Sequence, residues 1–486
     1  MTSVARFLDS HPSYAGTRAF DELRASEYGR LDAQGIVYLD YTGGGLHAES
    51  QVREHAEFLT HGVFGNPHSA SPSSTATTDA VERARAKVLE YFNGSEQYTA
   101  VFTLNASGAL KLVGESYPFV PGGRLLLTVD NHNSVNGIRE FARAKGAAVD
   151  YAPLTVPELR IEEPALLSRL DQAHRSRPNL FAFPAQSNFS GVKHPLALIN
   201  AAHGRGWDVL VDAAAFVPTN RLDLRLVAPD FVAISFYKMF GYPTGVGCLL
   251  IRTAALAKLQ RPWFAGGTVN FATVQGRGHV LAPREAGFED GTLNYLSIPA
   301  VEIGLRLLER VGIDAMQTRI DCLTAWLLSE LHTLRHANGR AVVHVYGPST
   351  SVQRGGTVTM NFHDSNGTLL DFRRIEELAA QEGISLRTGC FCNPGAGETA
   401  EDLTEDDMRA GLAEGADITL PRFLQLMQQR GGKSLGAIRV SLGIASNIGD
   451  VDRFLQFAAG FRDQTMAAVG ALTVDDASCR VIRDGS

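Results

Sequence analysis

Apolar and polar positions along this chain follow two rhythms. From about residue 36 to 252, short apolar runs alternate with longer stretches whose apolar residues recur at helical spacing. The runs at 36–40, 100–103, 125–129, 149–152, 180–184, 208–212, 231–235 and 247–252 predict strands, and the stretches 79–91, 107–117, 135–145 and 196–205 predict helices between them. Strand–helix alternation of this kind predicts an α/β fold, a mostly parallel sheet with helices on both faces. Ligands of such sheets gather beyond the carboxyl ends of the strands.

After residue 292 the rhythm changes. Amphipathic stretches at 298–311 and 313–335 predict helices leading into a second, smaller α+β unit, with strands at 342–346, 357–362 and 437–441 and helices at 369–382 and 451–461. The stretch 394–436 interrupts that unit. It is acidic at 401–407 and helical at 421–430, and it reads equally as a mobile lid or as a solvated surface insertion. The expected organisation is an N-terminal segment (1–35), a large domain (36–295), a small domain (296–466) and a tail (467–486).

Composition narrows the function classes. The 486 residues are 44% hydrophobic and 20% charged, as in ordinary globular proteins, and the net charge of −7 shows no basic stripe for nucleic acid or an anionic membrane. Neither a secretory signal nor a membrane-spanning run is evident, and five cysteines are too few for a disulfide framework. A cytoplasmic protein is expected.

The chemistry concentrates at strand ends. Asp212 closes one apolar run, and Lys238 follows another, in a segment that empties into a glycine-rich turn. A lysine and a carboxylate so placed suit pyridoxal 5'-phosphate: the amine forms a Schiff base with the aldehyde, and the carboxylate keeps the pyridine nitrogen protonated. Ala106 and Ser107, where the 100–103 strand meets a helix start, offer backbone N–H groups to a phosphate. His132, after another strand, suits ring stacking or a proton relay, and Asn188 suits the ring's phenolic oxygen. Cys390 and Cys392 lie in a glycine-bounded loop with Arg387 nearby, a setting that makes a usable thiolate. A Cys-x-Cys pair without further cysteine or histidine at ligand spacing is poor zinc chemistry, so no metal is expected. Cys248, Cys322 and Cys479 stand in apolar or tail contexts and are expected to be inert. Arg439 suits bidentate recognition of a substrate carboxylate.

Several longer motifs carry a family resemblance: Gln-Ser-Asn-Phe-Ser-Gly at 186–191, Ser-Phe-Tyr-Lys-Met-Phe-Gly-Tyr-Pro-Thr-Gly at 235–245, Phe-Glu-Asp-Gly-Thr at 288–292 and Arg-Thr-Gly-Cys-Phe-Cys-Asn at 387–393. Together, over about residues 35–465, they resemble class V aminotransferase-fold enzymes of the cysteine desulfurase group, most nearly the pyridoxal phosphate domain of molybdenum cofactor sulfurases. The resemblance implies fold type I (aspartate aminotransferase-like) with a seven-stranded sheet, a homodimer with active sites at the subunit interface, and L-cysteine as sulfur donor. It implies Lys238 as the Schiff-base lysine, Asp212 as the pyridinium partner, His132 as the stacking group and Cys392 as the persulfide carrier. Arg439, supported by Arg387 and Asn188, becomes the carboxylate site. Ser235 and Tyr237 join the cofactor set, and Gly267 and Thr268 match a loop that reaches the neighbouring subunit's phosphate. Ala215 stands where many desulfurases carry glutamine, and Gly397 where the sulfurases often carry another cysteine. The chain stops soon after this module, so the sulfur acceptor, a partner protein among the options, is left open. Two rivals remain: another lyase, epimerase or aminotransferase acting on an amino acid with the same cofactor, and a sulfur-carrier scaffold with a vestigial cofactor site.

Overall fold

The computed structural model describes residues 2–470 other than 68, 416, 417, 431, 432 and 435, and beyond them 474–475 and 480–481. Its large sheet contains β1 (Tyr98–Thr103), β2 (Arg124–Thr128), β3 (Ala148–Ala152), β4 (Asn179–Pro184), β5 (Asp208–Asp212), β6 (Phe231–Ser235) and β7 (Gly247–Arg252). The spatial order is β1-β7-β6-β5-β4-β2-β3, parallel throughout except at β7, which runs antiparallel to both its neighbours. Phe181, Ala182, Phe183, Val209, Leu210 and Val211 are all fully buried, because helices cover both faces. That is why β4 and β5 read as unbroken apolar runs rather than alternating ones. Every strand but β7 ends on one edge, and β7 begins there.

The eighth predicted strand, 36–40, is not part of this sheet. Val37–Tyr38 pairs in parallel with Ile384–Ser385, and Asp40 bridges Ser441. An apolar run predicts a strand but not its partner, and this one crosses to the smaller sheet's side. That sheet is antiparallel, in the order β8 (Val343–Tyr346), β9 (Thr357–Phe362), β11 (Ala437–Ser441), β10 (Arg387–Gly389). Helices Pro299–Val311 and Ile313–Thr333 lead into it, parted by Gly312 at φ +84.

Residues 3–33 fold as short helices against the helix Ile313–Thr333. Phe7 packs edge-on to Trp326, and the fully buried Arg319 donates from Nε to the Ser446 carbonyl and from Nη1 to Thr17 (3.2 Å). Arg24 makes a buried ion pair with Asp450 (2.6 Å). The N-terminal segment is therefore joined to the C-terminal third of the chain.

The insertion carries helices Pro394–Ala400, Glu405–Ala413 and Leu420–Gln429, and Arg430 and Lys433 both reach the Asp407 carboxylate at 2.9 Å. Toward the tail, Met466–Val469 is helical and Val474–Asp475 pairs with Arg480–Val481; residues 471–473, 476–479 (Cys479 included) and 482–486 lie outside the described ones. A hairpin, Val269–Thr273 with Gly278–Leu281, leaves Phe271, Val274 and Val280 exposed.

Candidate active site

The strand ends of the large sheet enclose a cavity of about 150 Å³. Lys238, Asp212, His132, Asn188, Ser235 and Tyr237 all line it, as does the start of the helix Ala106–Ser116. Residues from separate strand ends, as far apart in sequence as Ala106 and Lys238, converge here because parallel strands deliver their carboxyl ends to one edge.

Lys238 sits on the short helix Phe236–Phe240 that follows β6. Gly241 closes that helix at φ +77, and a Cβ there would lie 2.2 Å from the His47 nitrogen, so only glycine lets the 45–47 loop seal the turn. Burial pushes the Lys238 ammonium below its ordinary pKa, and the Asp212 carboxylate opposes that shift only in part. The result is an amine biased toward its neutral, nucleophilic form. Asp212, at the end of β5, accepts the Ala214 N–H at 3.0 Å.

His132 caps the turn Asn133–Asn136, its Nδ1 accepting the Ser134 N–H at 3.1 Å. A backbone N–H can only donate, so the neutral ring carries its proton on Nε2. Burial lowers the His132 pKa, with Asp212 opposing, which favours that neutral ring.

The anion cradle differs in detail from the sequence expectation. The Ala106 N–H is taken up by Ser235 Oγ at 2.9 Å, and the Asn105 side chain caps Gly108 at 2.9 Å. Ser107 N–H finds no acceptor among the described residues. The Ser107 and Ser134 hydroxyls meet at 2.6 Å beside it, so the cradle is one N–H with a cluster of hydroxyls. Gly247 makes room for it, since a Cβ there would stand 2.5 Å from Asn105.

Asn188 lines the cavity, yet its amide serves the cysteine loop: Nδ2 donates to the Phe391 carbonyl and Oδ1 accepts from Asn393 Nδ2, both at 2.8 Å. Asn393 Nδ2 also reaches the Asp130 carbonyl (2.8 Å), and Asn133 N–H donates to the Cys392 carbonyl (2.7 Å). Phe391 and Cys392 are both left-handed, at φ 54. Cys392 itself is exposed, beside the cavity rather than inside it, and close enough for its charge to act on Lys238 and Arg439. Cys248 is buried, which pushes its thiol pKa far up and leaves it unreactive.

Arg439 is buried and stacks over the Phe391 ring at 4.7 Å. Arg387 lies directly across from it on β10, and both hold the Asp40 carboxylate, a residue the sequence reading passed over although it heads the Gly43–Gly45 run. Gln186, Ser134 and Asn105 also line the cavity without having been singled out. Gly267 and Thr268 do not line it. They form a turn before the exposed hairpin, where the Thr268 hydroxyl accepts the Ala265 N–H at 2.8 Å. Among the described residues no cluster of three or more histidine, cysteine or acidic side chains is arranged to hold a metal.

The class-V aminotransferase pattern matches residues 37–454. The chain belongs to this family. Molybdenum cofactor sulfurases from Arabidopsis thaliana and Solanum lycopersicum are each 38% identical to it, over 91% and 93% of its length. The human molybdenum cofactor sulfurase is 35% identical over 91%. The chain spans 58%, 59% and 51% of those three proteins, less than two-thirds of any. Among solved structures, a cysteine desulfurase from Thermococcus onnurineus superposes with a TM-score of 0.71 at 22% identity, covering 90% of this chain and 97% of that one. A cysteine desulfurase from Escherichia coli gives 0.68 at 21% identity, covering 90% and 97%. The superpositions show that the chain shares the overall fold of those structures.

Pyridoxal phosphate fits the residues present. An amine whose pKa burial lowers, a carboxylate at an adjacent strand end, an imidazole whose pKa burial lowers and a hydroxyl-lined helix start face one cavity. Each matches one part of that cofactor: aldehyde, ring nitrogen, ring face and phosphate.

Proposed function

We propose that this protein is a pyridoxal phosphate-dependent cysteine desulfurase that takes sulfur from L-cysteine as a Cys392 persulfide and releases L-alanine. The observation carrying this reading is the docking of the Cys392 loop, through Asn188 and Asn133, onto the rim of the Lys238 cavity. Another amino-acid reaction with the same cofactor would need Lys238 and Asp212 but no thiol at that rim.

Lys238 would hold the cofactor's aldehyde, Asp212 its ring nitrogen, His132 its face, and Ser107, Ser134 and Ser235 its phosphate. When bound, the cofactor supplies an aldehyde that captures the substrate amine and a ring that draws electrons from it. The chain does the rest. Lys238 Nζ, once released, takes the proton from the substrate Cα. The guanidinium of Arg439 orients the substrate carboxylate. The Cys392 thiolate attacks the substrate sulfur, so that a new S–S bond forms as the Cβ–S bond breaks.

The exposed apolar hairpin and the Gly267–Thr268 turn beside it support a homodimer in which that turn meets the partner's phosphate site. The molybdenum cofactor, named in the relatives, is the favoured sulfur acceptor, delivered free or on a partner protein. Thiols that must stay reduced suit the cytoplasm.

The test is alanine and persulfide formation from L-cysteine. Cys392→Ala should keep amino-acid binding, read from the cofactor's absorbance, while losing sulfur transfer by about 100-fold or more, as for removal of a nucleophile. Lys238→Ala should lose turnover altogether. A Cys392→Ala protein that passes sulfur at the wild-type rate overturns the reading.

A further inference from the structure

Arg387 and Arg439 are register partners on adjacent antiparallel strands, so their side chains leave the same face of the small sheet. Their guanidinium groups have different depths. The Arg439 side chain is 4% exposed and that of Arg387 is 54% exposed. Two guanidinium groups side by side, the deeper one bonded to the cavity-lining Asn188, could receive two carboxylates, one deep and one nearer the surface. Asp40 stands between them. Its Oδ1 accepts from Arg439 Nη2 at 3.1 Å, and its Oδ2 accepts from Arg387 Nε at 3.0 Å and Nη2 at 2.5 Å.

The three groups together leave one positive charge. The free donors show where it is available. Arg439 Nη1 is bonded to the Asn188 carbonyl, but its buried Nε finds no partner among the described residues, an open donor on the deep cation. The donors of Arg387 that face Asp40 are already engaged by a carboxylate that is only 10% exposed. The other charged group near Arg387 is Glu376, whose Oε2 accepts from the Thr388 hydroxyl at 2.6 Å. It adds negative charge on that side and none on the Arg439 side.

Resting on the function proposed above, we propose that Asp40 sets the number of carboxylates the site accepts. By neutralising Arg387 it leaves Arg439 as the single cation for the substrate's α-carboxylate, and it excludes amino acids with a second acid in the side chain. Asp40 is thereby a specificity-determining residue for the β-position of the substrate, where cysteine carries its sulfur and aspartate a carboxylate.

The experiment uses the holoenzyme with two probes, L-alanine and L-aspartate, titrated by the absorbance of the bound cofactor. Wild type should bind alanine more tightly than aspartate. In Asp40→Asn the alanine-to-aspartate preference should fall by about tenfold or more, the size expected for one charge-assisted hydrogen-bonded pair. The double variant Asp40→Asn/Arg387→Gln removes one cation with the anion, restores the single positive charge, and should return the preference to within about threefold of wild type, the scatter expected of non-additive neighbours. If Asp40→Asn does not fold, Arg387→Gln alone decides. It leaves Asp40 facing only Arg439, so alanine should bind about tenfold more weakly, and unchanged alanine binding in this variant overturns the inference. An unchanged preference in Asp40→Asn overturns the inference, as does failure of the double variant to recover. A wild-type protein that binds neither probe overturns the proposed function with it, whereas binding of both with an unmoved preference overturns this inference alone.

Discussion

Replacing Asn393 with alanine should undock the Cys392 loop without unfolding the protein. Asn393 is fully buried and its side chain makes three hydrogen bonds: Nδ2 donates to the Asp130 carbonyl and to Asn188 Oδ1, and Oδ1 accepts the Ala396 N–H in the first turn of the next helix. Alanine strips all three. Two buried acceptors left without donors cost about 1–3 kcal/mol each and a lost helix cap about 1 kcal/mol. Water can reach the loop beside the exposed Cys392, so the lower half of that sum applies, about 3–5 kcal/mol of loop docking. None of these bonds belongs to either sheet, so the loss falls on local opening. Amide hydrogen exchange is the assay, because it reads local opening separately from global unfolding. Exchange across 390–397, and at the Asn133 N–H that holds the Cys392 carbonyl, should accelerate by roughly two to three and a half orders of magnitude, at about 1.4 kcal/mol per tenfold. Exchange in β5 and β6 should not change. Sulfur transfer should slow while the cofactor's absorbance stays as in wild type. Exchange at 390–397 within about threefold of wild type would refute the reasoning, as would equal acceleration everywhere.

Two other substitutions probe separate links. Burial raises the Glu401 carboxyl to about 7, while Tyr346 and Asn361 hydrogen bonds oppose the shift. The folded pKa lies above the unfolded value, so the folded state binds the extra proton between about pH 4.5 and 7 and stability falls as pH rises through that window, by up to about 3 kcal/mol. Urea midpoints at pH 5 and pH 8 should show that fall in wild type and a flat profile in Glu401→Gln; an identical slope in both would assign the effect elsewhere. Gly241→Ala should cost about 3 kcal/mol or more through the left-handed backbone and the clash with His47. It should also weaken cofactor retention, because the Lys238 helix shifts. Wild-type retention with an unchanged thermal midpoint would show the turn to be adaptable.

The parts of this molecule that were legible in the sequence are those governed by local rules. The seven strands of the large sheet announce themselves as apolar runs because helices bury both faces, and Lys238, Asp212 and His132 were visible because strand ends carry ligands. What was missed depends on partners far away in sequence. The run at 36–40 reads as one more strand, yet it pairs with 384–385, and Asp40 gains its meaning only when Arg387 and Arg439 fold against it. Asn188 reads as a polar turn residue free to meet a cofactor, but its amide is engaged by the Phe391 carbonyl, 203 positions away. Residues 3–33 alternate charge and apolar side chains too irregularly to predict helices, and their burial comes from Trp326 and Arg319. A signal did exist for Asp40: an acid followed by three glycines after a strand marks a backbone that must come close to something.

On the proposed function, the contacts of Arg439 would tie substrate capture to sulfur transfer. Its guanidinium touches Asp40 on one side, the Asn188 carbonyl on another and the Phe391 ring on a third. Asn188 in turn holds Phe391 and Asn393 on either side of Cys392. A carboxylate that draws Arg439 toward its open Nε therefore pulls on the residue that anchors the thiol's loop, through direct hydrogen bonds and without an intervening flexible segment. Desulfuration needs Cys392 near the substrate sulfur, whereas delivery to an acceptor needs the same thiol in solvent. One buried arginine is thus shared by the proposed carboxylate site and, through Asn188, by the loop that carries the thiol. The two consecutive left-handed residues at 391 and 392 place the backbone strain in that same loop.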